Sequence, residues 1–323
     1  MDLTALAREI RLAEERIRPH TLITPLSFSP ALSKHTGGQV YLKKEHLQHT
    51  GSFKARGSLN KILSLSDADR QRGVISASTG NHGLGVARGL QIAGVEGTIY
   101  LPSIVTRKKI EALKAFGARL EIVGNTSLEA ELYAKEMATK TGAVWISPYN
   151  DLQVMGGQGT IGVELLEQQP DLDAVLVTVG GGGLMSGIAG QLKSVNPGIT
   201  VVGCWPENSP EMYRSILAGH VVEVPEAKAT LSEASAGAME KDAITFDYCR
   251  ALIDNYVLVS EAEIAAAMRL VYEETGEMVE GSAGVAVAAC QKMGSALNGK
   301  KVAVVLCGGN IAADVFEKAV MVR

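Results

Sequence analysis

Nine short, near-continuous apolar runs constrain the fold of this chain more than any other feature. They are QVYLKKE (39–45), GVISAS (73–78), GTIYLP (97–102), ARLEIVG (118–124), AVWISP (143–148), DAVLVTVG (173–180), TVVGCWP (200–206), YVLVS (256–260) and KVAVVLCGG (301–309). A strand with one wet face alternates apolar and polar residues, whereas a strand covered on both faces does not. These runs therefore read as interior strands of parallel sheets. Helical patterns lie between them. GNHGLGVARGLQIAG spans 80–94, and RKKIEALKAFG closes at Gly117, a plausible C-cap. SEAEIAAAMRLVYEETG opens with Ser260 and Glu263 at capping-box spacing and closes at Gly276. Strand and helix alternating in this way predict an α/β fold, with one sheet or two and a ligand at the carboxyl ends of the strands.

Composition narrows the function classes. The chain has 323 residues, 46% hydrophobic and 20% charged, which suits one large globular domain or two smaller ones. A net charge of −4 does not suggest a partner in nucleic acid or an anionic membrane. Cys204, Cys249, Cys290 and Cys307 form no CxxC pair, so they point to a reducing compartment rather than to zinc or a redox dithiol. His46 and His49 do not make an HExxH pattern, and no metal is expected. The amino terminus lacks the apolar core of a signal peptide, and no run reaches the roughly 18–20 apolar residues of a membrane span. The expected location is the cytoplasm.

Three glycine-rich turns follow three of the runs: SASTGNHG (76–83), VGGGGLMSG (179–187) and LCGGN (306–310). Backbone N–H groups at the start of a following helix, aided by its dipole, favour an anion. The consecutive glycines Gly180, Gly181, Gly182 and Gly183 carry the strongest signal, because amides without Cβ atoms can close around a phosphate. A tight turn without a ligand is the competing reading, and it leaves the entropic cost of those glycines unexplained. A GxGxxG can be forced onto the run, but no acidic residue ends a second strand about 20 residues later, so a dinucleotide has little support.

Lys54 lies in HTGSFKARGS (49–58), which is not a P-loop. Alone, it would read as a surface lysine at a helix start. Paired with a separate phosphate loop, it suggests pyridoxal phosphate, whose aldehyde needs a lysine and whose flat ring needs an apolar face such as Phe53.

Together these residues resemble the fold-type II pyridoxal-phosphate enzymes, the tryptophan synthase β family, and within it the serine/threonine dehydratase and serine racemase branch. TGSFKARG (50–57), SASTGNHG, GQGTIGVEL (157–165), GGGGL (180–184) and CGGN (307–310) carry the resemblance in chain order. It implies two domains, each an open twisted, mainly parallel sheet flanked by helices, with the cofactor in the cleft. Residues 1–72 and 148–323 would form the large cofactor-binding domain, and 73–147 a small domain closing over the substrate. By the same resemblance Lys54 would hold the cofactor and act as base on the substrate α-proton, and Phe53 would pack on the ring. Asn81 would bind the cofactor 3′-oxygen. Gly180, Gly181, Gly182, Gly183 and Leu184 would hold the phosphate. The loop Ser78, Thr79, Gly80, Asn81 and His82 would hold the substrate carboxylate. Cys307 would face the pyridine nitrogen, and a neutral partner there favours β-elimination over transamination. Glu280 either approaches the cofactor or places negative charge at a helix start. Arg56 is expected to brace the loop, and His82 to pack behind Asn81 rather than act as a base.

The chain departs from that branch in places. Thr79 stands where serine racemases carry a second acid/base serine; it keeps the hydroxyl and adds a methyl. Trp205-Pro206 replaces a Glu-Pro that supplies a cation ligand, leaving Glu207 and Glu211 as the nearest substitutes. SPYND (147–151) replaces an HP-type segment, which puts Tyr149 among the candidate substrate contacts. The short stretch after CGGN leaves no room for the regulatory domain of biosynthetic relatives, which implies a catabolic or specialised enzyme. The expected activity is dehydration and deamination of L-threonine, L-serine or a related β-hydroxy-α-amino acid to a 2-oxo acid and ammonia, by a homodimer. Alternatives are a serine racemase, a dehydratase of a bulkier substrate (phenylserine, 3-hydroxyaspartate or an intermediate of hydroxyectoine breakdown), and a non-catalytic amino-acid or cofactor-binding protein.

Overall fold

The computed structural model of the chain describes residues 1–321. Its strands are β1 (Leu26–Phe28), β2 (Gln39–Lys43), β3 (Val74–Ala77), β4 (Gly97–Leu101), β5 (Arg119–Ile122), β6 (Val144–Trp145), β7 (Ala174–Thr178), β8 (Thr200–Pro206), β9 (Asn255–Val259) and β10 (Lys301–Val305). They form two sheets, a six-stranded one in the order β1-β2-β10-β7-β8-β9 and a four-stranded one in the order β5-β4-β3-β6. Every pairing is parallel except β1 with β2. Each of the nine apolar runs overlaps a strand, and β7 is buried along its whole length, as its unbroken AVLVT requires. The tenth strand, β1, is an edge strand of three residues, too short to carry a pattern. AVWISP contributes only two residues to β6.

Local chemistry sets the helix ends. Ser260 and Glu263 form the reciprocal capping box before the helix Glu261–Thr275, which ends at left-handed Gly276. Gly117 is not the cap of the preceding helix. That helix, Arg107–Lys114, ends at Ala115; the chain then tightens through Phe116 N–H to Leu113 O and Gly117 N–H to Lys114 O before Gly117 takes φ 76°.

The large core lies around the six-stranded sheet, with Val175, Leu176, Val201, Val304 and Ile188 at its centre. A second core, including Ile62, Val86, Leu90, Ile99 and Leu101, covers one face of the four-stranded sheet, and Ile75, Tyr100, Ala134 and Ala138 cover the other. The helix Lys54–Leu63 lies between the two sheets. A Cβ on Gly85 would stand 2.8 Å from Lys54 O, and one on Gly157 would stand 2.6 Å from Gly57 Cα. Glycine thus lets the lysine helix touch both Asn81–Ala93 and Leu152–Gln168 backbone to backbone.

A buried ion cluster anchors the lysine helix. Arg56 is fully buried and donates through Nε to Glu45 Oε2 at 2.8 Å and through Nη1 to Glu164 Oε1 at 2.7 Å. Lys43 Nζ donates to Glu164 Oε2 at 2.6 Å and to Thr24 O at 2.8 Å. Burial lowers the Lys43 pKa, opposed by the Glu164 carboxylate. Such charges are tolerated in the interior because each is paired and hydrogen-bonded. Arg56 therefore braces the loop, as expected from the sequence.

Candidate active site

Lys54 opens its helix at the carboxyl-end cleft between the sheets. Its Nζ donates to Pro148 O at 2.6 Å and stands 5.1 Å from the centre of the Phe53 ring. Burial of the amine lowers its pKa to about 8, against the opposing pull of Cys307 and Glu280. The lysine loop is joined to the CGGN loop: Phe53 N–H donates to Cys307 O at 3.1 Å, Gly309 N–H donates to Gly51 O at 2.9 Å, and Ser52 bridges Gly308. Thr50, at φ 65°, is the one non-glycine residue with positive φ among the described residues, so the turn before Lys54 is held in a conformation side chains disfavour.

Asn81 starts the helix Asn81–Ala93. Its Nδ2 donates to both carboxylate oxygens of Glu280 at 3.0 Å, and its Oδ1 accepts from Asn310 Nδ2 at 2.7 Å. The Asn310 amide also donates to Thr50 O at 2.7 Å. Asn310 thus ties the CGGN loop to both the lysine loop and Asn81. Only its place in CGGN marked it in the sequence. Burial raises the Glu280 pKa, opposed by Asn81, the Asn310 N–H and Lys54. Burial, and then Glu280, push the Cys307 thiol well above its usual range, so it is neutral at physiological pH. Glu280 therefore lies beside Asn81 and Gly308, inside the site, while also standing at the start of the helix Gly281–Met293.

His82 is buried. Its Nδ1 meets Ser58 Oγ at 3.3 Å, and its Nε2 meets Ser76 Oγ at 3.1 Å and Ile146 O at 3.0 Å. Burial, and then the charge of Lys54, drive its pKa down to about 3, so it is a neutral, fully engaged ring.

Each glycine of the four-glycine loop is packed closely. Cβ atoms on Gly180 and Gly181 would stand 2.7 Å from Ser235 O and 2.5 Å from the Tyr149 ring. Gly182 has φ 86°, and a Cβ there would meet Cys249 Sγ at 2.8 Å. Gly183 begins the helix Gly183–Val195, which has no side-chain cap, and Leu184 is buried behind it. Tyr149 lies against this loop. Its hydroxyl accepts from Glu240 N–H at 2.8 Å, and burial raises its pKa to about 12.

Ser78 and Thr79 line a cavity of about 210 Å³ with Ala77, Tyr100, Pro102 and, from the far side, Ser127, Ala130, Glu131 and Pro148. No pattern in the sequence marked Tyr100 or Glu131, because strand β4 and the helix Ser127–Thr141 approach Thr79 only in the folded chain.

These residues fit pyridoxal phosphate. Lys54 donates to Pro148 O, and the next residue, Tyr149, packs on Gly181 and Gly183, so the amine, with Cys307 and Glu280–Asn81 near it, is linked to the uncapped start of the Gly183 helix, whose orphan N–H groups suit a phosphate. Trp205 is buried against Tyr213 and Tyr256. Glu207 stands 3.5 Å from Lys292, and Glu211 accepts from Ser209 Oγ at 2.6 Å. Among the described residues no three His, Cys, Asp or Glu side chains gather as a metal site, and no helix is long and apolar enough to cross a membrane.

Comparison with known proteins agrees with this chemistry. The family described as "Pyridoxal-phosphate dependent enzyme" matches residues 17–308. An L-threonine ammonia-lyase of Thermotoga maritima is 42% identical over 312 residues, covering 97% of this chain and 77% of that protein. The processed form of threonine deaminase isoform 2 from Solanum lycopersicum superposes with a TM-score of 0.92 at 33% identity, over 98% of this chain and 92% of that one. Maize serine racemase gives 0.90 at 30% identity, over 97% and 95%.

Proposed function

Because the chain belongs to the pyridoxal-phosphate dependent enzyme family, we propose that it is a β-hydroxy-α-amino-acid dehydratase that forms a 2-oxo acid and ammonia from L-threonine, L-serine or a related substrate. The observation that carries this reading is the pairing of a weakly basic Lys54 with a neutral Cys307 in one cleft. In it Lys54, Phe53, Asn81, Cys307 and the loop from Gly180 to Leu184 hold the cofactor. When bound, pyridoxal phosphate supplies the electron sink that acidifies the substrate α-proton.

The protein's own groups do the rest. With a pKa of about 8, a useful fraction of Lys54 is neutral near pH 7 and accepts the α-proton. Amides from Ser78 to His82, at an uncapped helix start, hold the substrate carboxylate. His82 stays neutral and fixes that loop through Ser58, Ser76 and Ile146. Cys307, held neutral by burial, would give the ring nitrogen of the bound cofactor an uncharged partner, an arrangement that favours loss of the β-hydroxyl over reprotonation at the α-carbon. The four-stranded sheet, 73–147, acts as the small domain closing on residues 1–72 and 148–323, and the enzyme works as a cytoplasmic homodimer.

Racemisation is the second reading, favoured by the Thr79 hydroxyl at the cavity wall. Ammonia release and chiral chromatography on the same holoenzyme reaction separate the two. Ammonia and 2-oxo acid should form much faster than D-amino acid from L-serine or L-threonine. D-serine at a rate equal to or above pyruvate would replace the dehydratase reading with racemase.

A further inference from the structure

The cavity beside Thr79 extends from the proposed carboxylate loop towards the helix Ser127–Thr141. Its volume is about 210 Å³. The cavity begins at Pro148, whose carbonyl oxygen accepts from Lys54 Nζ. Its walls do not include the lysine, Asn81, the four-glycine loop or Cys307, so it is space beyond the cofactor cradle, on the four-stranded-sheet side of the carboxylate loop.

One wall residue carries charge. Glu131 lies on the first turns of the helix Ser127–Thr141 and shares Lys135 with Glu240: the ammonium stands 2.7 Å from Glu131 Oε1 and 2.8 Å from Glu240 Oε1. Lys135 also lies 5.4 Å from the Trp145 ring centre. Two carboxylates on one ammonium leave an excess negative charge behind the cavity. The start of the helix would by itself favour an anion. Thr126 already caps it, however, and Glu129 and Glu131 place two negative charges in its first turns.

We propose that this cavity takes the side chain of the substrate and that Glu131 selects a β-hydroxy-α-amino acid extended beyond the β-carbon to a cationic nitrogen. The proposal rests on the dehydratase reading and names its substrate class. Glu131 acts as acceptor for the substrate's terminal ammonium, Tyr100 and Pro102 form the apolar sides, and Ser127 supplies a hydroxyl at the rim.

The test uses the holoenzyme. Ammonia release is measured from L-threonine, 3-hydroxyaspartate and 2,4-diamino-3-hydroxybutyrate. Binding of 2,4-diaminobutyrate and 2-aminobutyrate, which lack the hydroxyl to be lost, is followed through the cofactor absorbance. The diamino substrate should exceed threonine in kcat/KM by about tenfold or more. Glu131→Gln should lower that ratio by roughly 10- to 100-fold, the span of a charge-assisted hydrogen bond, and weaken 2,4-diaminobutyrate relative to 2-aminobutyrate by a similar factor. Turnover of threonine with no preference for either diamino acid overturns this inference and leaves the dehydratase reading standing. A preference for 3-hydroxyaspartate overturns it in favour of an anion at the helix start. If no substrate releases ammonia, the reaction reading fails and the binding comparison still decides the pocket. That comparison in the wild type also decides it should Glu131→Gln not fold.

Discussion

The helices of this protein begin in two ways. Asp2, Ser29, Ser66, Thr106, Thr126, Asp151 and Ser260 each precede a helix and accept a hydrogen bond from its first turn. The helices that start at Lys54, Asn81, Gly183 and Gly281 follow Phe53, Gly80, Gly182 and Glu280, and none has a side-chain cap. These four open into the cleft, beside the loops of Cys307–Asn310 and Pro148–Tyr149. Helices after Pro210 and Ala243 are also uncapped, and Met212 and Thr245 from their first turns pack behind Gly182. A missing cap costs about 1 kcal/mol. Among the helix starts compared, the cost falls on the four that open into the cleft and the two packed behind Gly182, and side-chain caps relieve it at the other seven.

The largest expected effect comes from the first uncapped helix. Lys54→Ala should lower turnover by on the order of 10⁴-fold and remove the visible absorbance of bound cofactor, while circular dichroism stays unchanged. Wild-type turnover in this variant would end the assignment. The same residue gives a pH signature in the apoprotein. Its folded pKa of about 8 lies below the unfolded value, so the penalty for burying its charge is fully present below pH 8 and relieved as pH rises towards 10.5. Relative to Lys54→Met, wild-type apoprotein should gain up to roughly 3 kcal/mol across that window in denaturant titrations. Parallel curves would mean the amine is not buried in solution.

Gly181→Asp should weaken cofactor binding at least about tenfold, by placing a carboxylate and a Cβ in the loop. Because the Cβ would meet the Tyr149 ring, adding Tyr149→Ala separates the causes. The double variant should recover stability in thermal melts without recovering affinity. Recovered affinity would assign this glycine to packing alone.

Gly80→Asp exchanges one kind of helix start for the other. A Cβ there meets nothing within 4 Å, so the new side chain can cap the Asn81 helix. Stability should rise by a few tenths of a kcal/mol, while KM for the amino acid rises several-fold through competition with its carboxylate. An unchanged KM would remove this loop from the substrate. The smallest effect is at the periphery: Ser260→Ala should cost about 1 kcal/mol in denaturant titrations with KM unaltered.

Much of this was legible in the residues. Interior strands announce themselves because both faces must be apolar, so β7 and β10 could be read directly, whereas the edge strand β1 is too short to show a period. Lys54, Asn81 and the four glycines stand in compact local motifs. Asn310 was visible as the end of CGGN, but its bond to Asn81 spans 229 positions of chain. The same holds for the Arg56 cluster, whose carboxylates come from Glu45 and Glu164, and for Glu131, which in sequence resembles any solvated helix residue. Local pattern reports local chemistry; partners set by tertiary approach leave no mark on it.

The glycine contacts around the lysine helix bear on mechanics. Interlocked side chains must disengage before one helix can slide over another. Gly85 and Gly157 bring backbone against backbone on either side of Lys54–Leu63, which leaves fewer side chains to disengage at those two points than a larger residue would. If the four-stranded sheet closes as proposed above, this helix would be the bearing on which it shears, with the amine of Lys54 kept in register with the larger sheet. A methyl group at position 85 would act as grit in that bearing, and slower substrate-induced protection of the Asn81–Ala93 helix in hydrogen exchange would report it.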